Sequence, residues 1–284
     1  MEYILKNVDS FELRDIFECG QCFRWNVTED GSYIGVVDKS VIKVIKMNKD
    51  VIFKSNDEKL PNTVTNYFDL KRDYGEIKKI LSSVDENMKV SVNYGNGIRI
   101  LNQNLWETII SFIISANNNI PRIKKIIETI SKLYGNEIEF EGKRYYTFPT
   151  EKQLENVSIE EYRKAGLGFR DKYVYKVVHM ANSGALDLEK IKQIQQTSEI
   201  RAKLLELPGV GEKVADCILL FSELKRLEVF PVDVWVRRVM NELYIKNEDE
   251  TKVSKKQIQK IAYDKYKNLA GIAQQYLFYW KREA

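Results

Sequence analysis

Apolar positions recur with two different periods along the 284 residues. In the first part they form short runs rich in β-branched and aromatic residues: residues 23–27, Tyr33–Val37 and residues 41–46. Turn residues at 29–32 and 38–40 separate them, a spacing that predicts an antiparallel meander. Residues 11–17 predict a short helix, capped by Asp9-Ser10. Near residue 66 the pattern changes, and residues 74–81 read as helical. From Trp106 onward the period is helical, beginning with a stripe of Trp106, Ile109, Ile110, Ile113 and Ile114. Asparagines at 117–119 end that helix, and Pro121 suits an early position of the next, over 121–134. Further helices are predicted over 159–167, 171–182, 188–206, 212–222, 253–265 and 268–281, with Asp233 capping another over 234–244. The fold class that follows is α+β. An N-terminal antiparallel β domain with flanking helices covers 1–97, and a two-part, mostly α-helical core covers 98–284.

Within that core the helices of about 199–222 are joined by Pro208-Gly209-Val210-Gly211. Gly209 and Gly211 permit a tight reversal and leave backbone N–H groups bare. Such amides at a helix N-terminus can hold a phosphate. Lys213 falls in the first turn of the second helix. The positive end of the helix dipole and desolvation both push a lysine there towards the neutral amine, a nucleophile. A nearby carboxylate would act the other way. A plain reading fits as well: a turn between two core helices, with Lys213 solvated.

Charge narrows this little. Lys+Arg number 45 and Asp+Glu 41, a net +4, which permits a polyanionic partner without demanding one. Three cysteines cannot build a disulfide framework, so a reducing compartment is expected. Cys19 and Cys22 form a lone C-x-x-C, and with His179 the only histidine zinc would lack ligands. The N-terminus has no signal-peptide pattern and no apolar run approaches a membrane span. The expected location is the cytoplasm of a prokaryote or the nucleus of a eukaryote.

Taken together, the hairpin, Lys213 and Pro231-Val232-Asp233 closely resemble the signature of the helix-hairpin-helix DNA glycosylase superfamily, and within it the 8-oxoguanine DNA glycosylase/lyase family. The likeness extends to Gly20-Gln21-Cys22-Phe23-Arg24-Trp25, to the Asn-rich segment 111–122, to Gly166-Leu167-Gly168-Phe169-Arg170, and to residues 271–278. Cys217 is the last cysteine, which excludes the iron–sulfur branch.

The resemblance implies a bifunctional enzyme acting on double-stranded DNA, as a monomer and without a required cofactor. Lys213 would attack the deoxyribose C1′, expel 8-oxoguanine and form a Schiff base, after which β-elimination cuts the strand. Asp233 would stabilise charge on the sugar. The Gly20 carbonyl would accept the lesion's N7–H, Cys217 and Phe278 would sandwich the base, and Gln274 would read its pairing edge. Asn117 would fill the vacated space, Arg122 and Arg170 would hold the estranged cytosine, and Phe169 would wedge into the stack. Phosphate would rest on the amides of Gly209, Val210 and Gly211, with a monovalent cation on the carbonyls of Leu207 and Val210. Three positions depart from the family pattern: Trp235 stands where histidine is usual, Lys281 where an acid is, and Phe169 where tyrosine is. The rival readings are a glycosylase for another damaged purine, against which Lys213 argues, and a non-enzymatic DNA-binding module.

Overall fold

The computed structural model describes residues 1–283. Five strands, β1 (Glu2–Leu5), β2 (Trp25–Val27), β3 (Tyr33–Val37), β4 (Ser40–Met47) and β5 (Asp50–Ser55), form one antiparallel sheet ordered β1-β5-β4-β3-β2. The predicted meander forms one side of it, β4-β3-β2; β5 and then β1, at the far edge, complete the other side. Alternation along the strands turns Tyr33, Ile42, Val44, Val51 and Phe53 into a core completed by Phe11, Phe17, Trp25 and Phe68. The Phe17 and Trp25 rings stack at 4.2 Å, and the Trp25 indole donates to the Tyr67 hydroxyl at 2.9 Å. A Cβ on Gly35 would lie 2.5 Å from the Trp25 ring. Gly35→Ala is therefore expected to lose about 1–3 kcal/mol of stability by overpacking, read as a lowered urea midpoint at unchanged slope.

Several elements differ from the sequence expectation. Asp9-Ser10 does not cap the first helix, which runs Leu13–Phe17 behind an uncapped Glu12. Helices Leu60–Tyr67 and Glu86–Tyr94 were not anticipated; the second packs with helix Tyr74–Ser82 and the C-terminal helix Ala270–Glu283. The smaller core therefore draws on residues 11–70 and Leu101, while residues from Tyr74 onward join the larger one. A hairpin of β6 (Glu137–Phe140) and β7 (Lys143–Tyr146) interrupts the helical part. Its turn residues, Glu141 and Gly142, both have positive φ, as a two-residue hairpin turn requires. The helix expected over 188–206 is two, Leu188–Gln193 and Thr197–Leu205. The break lies at Ile194, whose carbonyl accepts from Arg226 Nη2 at 2.7 Å instead of a helical amide. Beyond Asp233 the α-helix stops at Met240 and widens into a π turn, Asn241–Ile245.

Two helices position the site. Leu105–Ser115 is buried from Leu105 to Ile114 except at Glu107, and Glu212–Phe221 is buried from Val214 onward. Residues of the sheet domain are fastened to them by amides. Buried Gln21 donates to the carbonyls of Ile16 at 2.9 Å and Arg99 at 2.8 Å, and accepts from the Leu101 N–H at 2.9 Å. Gln103 then donates to the carbonyls of Gln21 at 2.8 Å and Phe221 at 3.0 Å. Because every polar atom of the Gln21 side chain is used, the loop before it is held in register with the end of the Glu212–Phe221 helix.

Candidate active site

The hairpin helix, the C-terminal helix and the Gly20 loop converge on a cavity of about 40 Å³. Lys213, Asp233, Cys217, Gly20, Gln274 and Phe278, all singled out in the sequence, line it together. Cys19, Phe112, Phe221, Pro231 and Gln275 complete the wall; the sequence gives them no role at this site, because side chains of these types look like ordinary core. Gln274 is 5% exposed, and its Oε1 is buried with no hydrogen-bond partner among the described residues. A buried amide left unpaired is destabilising by roughly 1–3 kcal/mol, so its orientation points to a ligand that satisfies it.

The Gly20 carbonyl is set apart in a similar way. Side-chain N–H groups donate to the carbonyls around it: Arg282 to Glu18, Gln275 to Cys19 and Gln103 to Gln21. Among the described residues none reaches Gly20 itself. Its φ of +87° is the left-handed region, which glycine adopts without penalty.

Lys213 is half-buried, with its Nζ 5.6 Å from the centroid of the Phe112 ring. Its pKa is raised, by Cys217 first and also by Asp233, against the lowering effect of burial. The Asp233 carboxylate thus acts against burial at this lysine. Burial pushes the Cys217 thiol up to about 11, so at neutral pH it is uncharged. Asp233 caps helix Val234–Met240 through Oδ1, which accepts from the Val236 N–H at 2.8 Å, and it also faces the cavity. Cap and site residue are thus one group, which fixes the carboxylate beside the lysine.

At the hairpin, Gly209 has φ +85° and a Cβ there would lie 2.9 Å from the Tyr173 ring. The Val210 N–H closes the turn onto the Leu207 carbonyl at 3.0 Å. Gly211 is the N-cap of the Glu212–Phe221 helix with no side-chain cap, and the space around its Cα is open. The first amides of that helix are left without an internal partner.

The three asparagines have three separate tasks. Asn117 is exposed in a left-handed turn at φ +51°. Asn118 donates to the Ile114 carbonyl at 3.1 Å, and Asn119 caps helix Ile120–Tyr134. Beyond them Phe169 is 58% exposed, edge-on to Tyr173 at 6.4 Å. The two arginines are placed differently. Arg170 is 2% exposed, and its guanidinium donates to the Ala116 carbonyl at 2.6 and 2.8 Å, to Asn117 at 2.7 Å and to Leu167 at 3.2 Å. It buttresses the Asn117 turn rather than standing open to a base. Arg122 is exposed with a single long contact, 3.4 Å to the Gly166 carbonyl. Arg170→Ala is accordingly expected to lose about 2–4 kcal/mol by orphaning those carbonyls, and Arg122→Ala within about 0.5 kcal/mol. Paired denaturation curves check both.

The remaining candidates fall out as follows. Cys19 and Cys22 are buried free thiols; burial pushes Cys19 up to about 12, which removes it as nucleophile or ligand. Among the described residues no group of three or more His, Cys, Asp or Glu could hold a metal, and no helix is long and apolar enough to cross a membrane. Trp235 is exposed beneath the Arg238 guanidinium at 5.7 Å. Lys281 pairs with Glu242 at 2.5 Å.

The family model for the 8-oxoguanine DNA glycosylase N-terminal domain matches residues 3–109, and that for HhH-GPD superfamily base excision DNA repair proteins matches residues 110–263. The fold is similar to that of the Clostridium acetobutylicum 8-oxoguanine glycosylase/lyase, solved with double-stranded DNA containing cytosine opposite to 8-oxoG. The TM-score is 0.93 at 47% identity, over 99% of this chain and 94% of that one. The N-glycosylase/DNA lyase OGG1 of Arabidopsis thaliana is 30% identical over 92% of this chain and 75% of its own. A probable N-glycosylase/DNA lyase of Methanothermobacter thermautotrophicus is 32% identical over 74% and 71%. The two family models together span residues 3–263: the chain belongs to the 8-oxoguanine DNA glycosylase family of the HhH-GPD superfamily.

Proposed function

We propose that this protein removes 8-oxoguanine from duplex DNA, preferably opposite cytosine, and cuts the strand at the resulting site. The observation that carries the reading is the unpaired Gln274 amide, aimed into a cavity that also holds Lys213 and Asp233. A glycosylase must bring the base out of the stack to reach its sugar. With the base between Cys217 and Phe278, Gln274 pairs with its Watson–Crick edge and the free Gly20 carbonyl accepts N7–H. Guanine lacks that hydrogen, and an unpaired buried acceptor is a strong basis for rejecting it.

Lys213 attacks as the neutral amine, so any proton on it must leave first; Asp233 is the neighbouring carboxylate able to receive or relay it. The amine lone pair then forms a bond to C1′ as the glycosidic bond breaks, and the base departs with that electron pair and takes up a proton. Asp233 stabilises the positive charge on the sugar. The nitrogen then loses a proton and its lone pair forms C1′=N as the C1′–O4′ bond breaks and O4′ takes up a proton, giving the iminium. Loss of a C2′ proton from it expels the 3′ oxygen with its phosphate, and water adds to the C=N bond to release the amine. Phosphate rests on the amides of Gly209 and Gly211 at the helix N-terminus; the Val210 N–H, expected to join them, is taken by the Leu207 carbonyl. A monovalent cation on the carbonyls of Leu207 and Val210 would strengthen that grip. Asn117 fills the gap left in the duplex, Phe169 wedges the stack, and Arg122 meets the estranged cytosine, its planar donor fork suiting a base edge. Arg170 joins it there only by giving up its carbonyls. All site residues come from one chain, so a monomer suffices, acting where chromosomal DNA is found: a prokaryotic cytoplasm or a nucleus.

Borohydride reduction during incubation with an 8-oxoguanine:cytosine duplex is expected to trap a covalent adduct, absent with undamaged DNA. Duplex binding without an adduct would leave a binding module; an adduct confined to alkylated purines would reassign the substrate. Excision opposite C, A, G and T, compared for wild type and Arg122→Ala, tests the opposite strand. An unchanged preference in the variant sinks the Arg122 assignment.

A further inference from the structure

The cavity is too small for its proposed occupant. About 40 Å³ accommodates water, whereas benzene alone fills an engineered cavity of about 150 Å³. A wall must move. Cys217, Phe112, Phe221, Gln274 and Gln275 are buried. Phe278 is the one aromatic ring of the wall that is only partly buried, and so the one the surroundings hold least.

Arg282 lies one helical turn beyond it on the same face. Its guanidinium carbon is 5.2 Å from the centroid of the Phe278 ring. Nη2 donates to the Glu18 carbonyl, and Nη1 sits 3.1 Å from where a Gly20 Cβ would be. Nε points to Glu283 at 2.9 Å, and Glu283 reaches Arg14 at 3.3 Å, itself 3.3 Å from Glu18. Of the three side chains that brace the carbonyls around Gly20, Arg282 alone also covers the Phe278 ring. Its Nη1 is buried with no partner among the described residues, an unfavourable arrangement for a charged donor that a change of position relieves.

We propose that Arg282 is a positioning residue for lesion recognition: it couples the movable Phe278 wall to the Gly20 loop, so that opening the cavity for the base resets the loop that reads it. This rests on the function proposed above. Arg282 acts through Phe278 and does not touch the phosphate grip at the hairpin. Losing it therefore disturbs damaged-base capture and leaves general DNA binding intact. Lysine keeps a donor for Glu18 but not a flat group over the ring, so it restores stability without restoring coupling.

The test is a double-mutant cycle on single-turnover excision from an 8-oxoguanine:cytosine duplex, with undamaged-duplex affinity and thermal midpoint measured alongside. Arg282→Ala and Arg282→Lys are both expected to slow excision, the alanine variant by about tenfold, a typical coupling between contacting residues. Undamaged-duplex affinity stays within about twofold. In a Phe278→Ala background Arg282→Ala adds less than about twofold, because the two act as one unit. Unchanged excision in Arg282→Ala, multiplying effects in the double variant, or a parallel loss of undamaged-DNA affinity each overturns the proposal. Should Arg282→Ala not fold, Arg282→Lys decides the same comparison. Absence of excision by the wild type overturns the functional reading instead.

Discussion

Lys213→Gln is expected to bind an 8-oxoguanine duplex but to form no borohydride-trapped adduct, with excision reduced by roughly a thousandfold or more. Glutamine keeps length and polarity, and position 213 lies one residue inside a helix whose fold depends on Val214 and the residues after it. Melting temperature and undamaged-DNA affinity should therefore hold while chemistry is lost. The pH profile of the wild type carries a second part of the same expectation. Cys217 and Asp233 raise the Lys213 pKa above its ordinary 10.5 in the empty site. While that value persists, the amine fraction, and with it the rate, climbs about tenfold per pH unit below it. A rate that levels off near neutrality would mean that the bound base desolvates the site and lowers the lysine. Asp233→Asn should slow the chemistry, since the amide caps the helix but carries no charge to meet the sugar cation.

Gly209→Val is the most damaging single change expected outside the cavity. Two faults add at this position. The backbone has φ +85°, which for a β-branched residue is strained by roughly 1–3 kcal/mol, and the new Cβ meets Tyr173 at 2.9 Å. Tyr173 in turn stands against Phe169, so a shifted hairpin also displaces the wedge. The variant should lose stability and bind undamaged duplex at least about tenfold more weakly, with a shallower dependence of log affinity on log salt as phosphate contacts are lost. Gly211→Ala is the control: the space around Gly211 is open and its φ of −95° is ordinary, so the fold should hold. Retained DNA affinity in Gly209→Val would show that the hairpin is not the phosphate grip.

The contrast between these two glycines shows what a sequence can and cannot convey. Both stand in one short motif, and both were read as open backbone for a phosphate. Only packing reveals that Gly209 is required by a tyrosine thirty-six positions earlier in the chain, while Gly211 is required by nothing within 4 Å. The two arginines divide in the same way. Arg122 and Arg170 carry the same donor fork, yet three backbone carbonyls occupy Arg170 and a single long contact reaches Arg122. No local pattern around residue 170 encodes that choice.

Elements with a strong period were legible throughout. The helices at 105–115 and 120–134, the central strands of the sheet, and Asp233 as a helix cap follow from alternation, stripe and cap chemistry, which are local. Elements held by distant partners were not. The break at Ile194 depends on Arg226, and the β1 edge depends on β5. The site divides along the same line. Sequence by itself determined the chemical inventory: a lysine just inside a helix, an aspartate that caps another, a glycine hairpin, and a Gln/Phe tail. Tertiary structure alone decided that these meet at one cavity, and that Gln274 Oε1 and the Gly20 carbonyl wait unpaired while their neighbours are satisfied. The physical reason is range. Secondary-structure preferences act over a few residues, whereas burial, charge–charge coupling and hydrogen-bond satisfaction are set by whichever distant side chains the fold brings within a few ångströms.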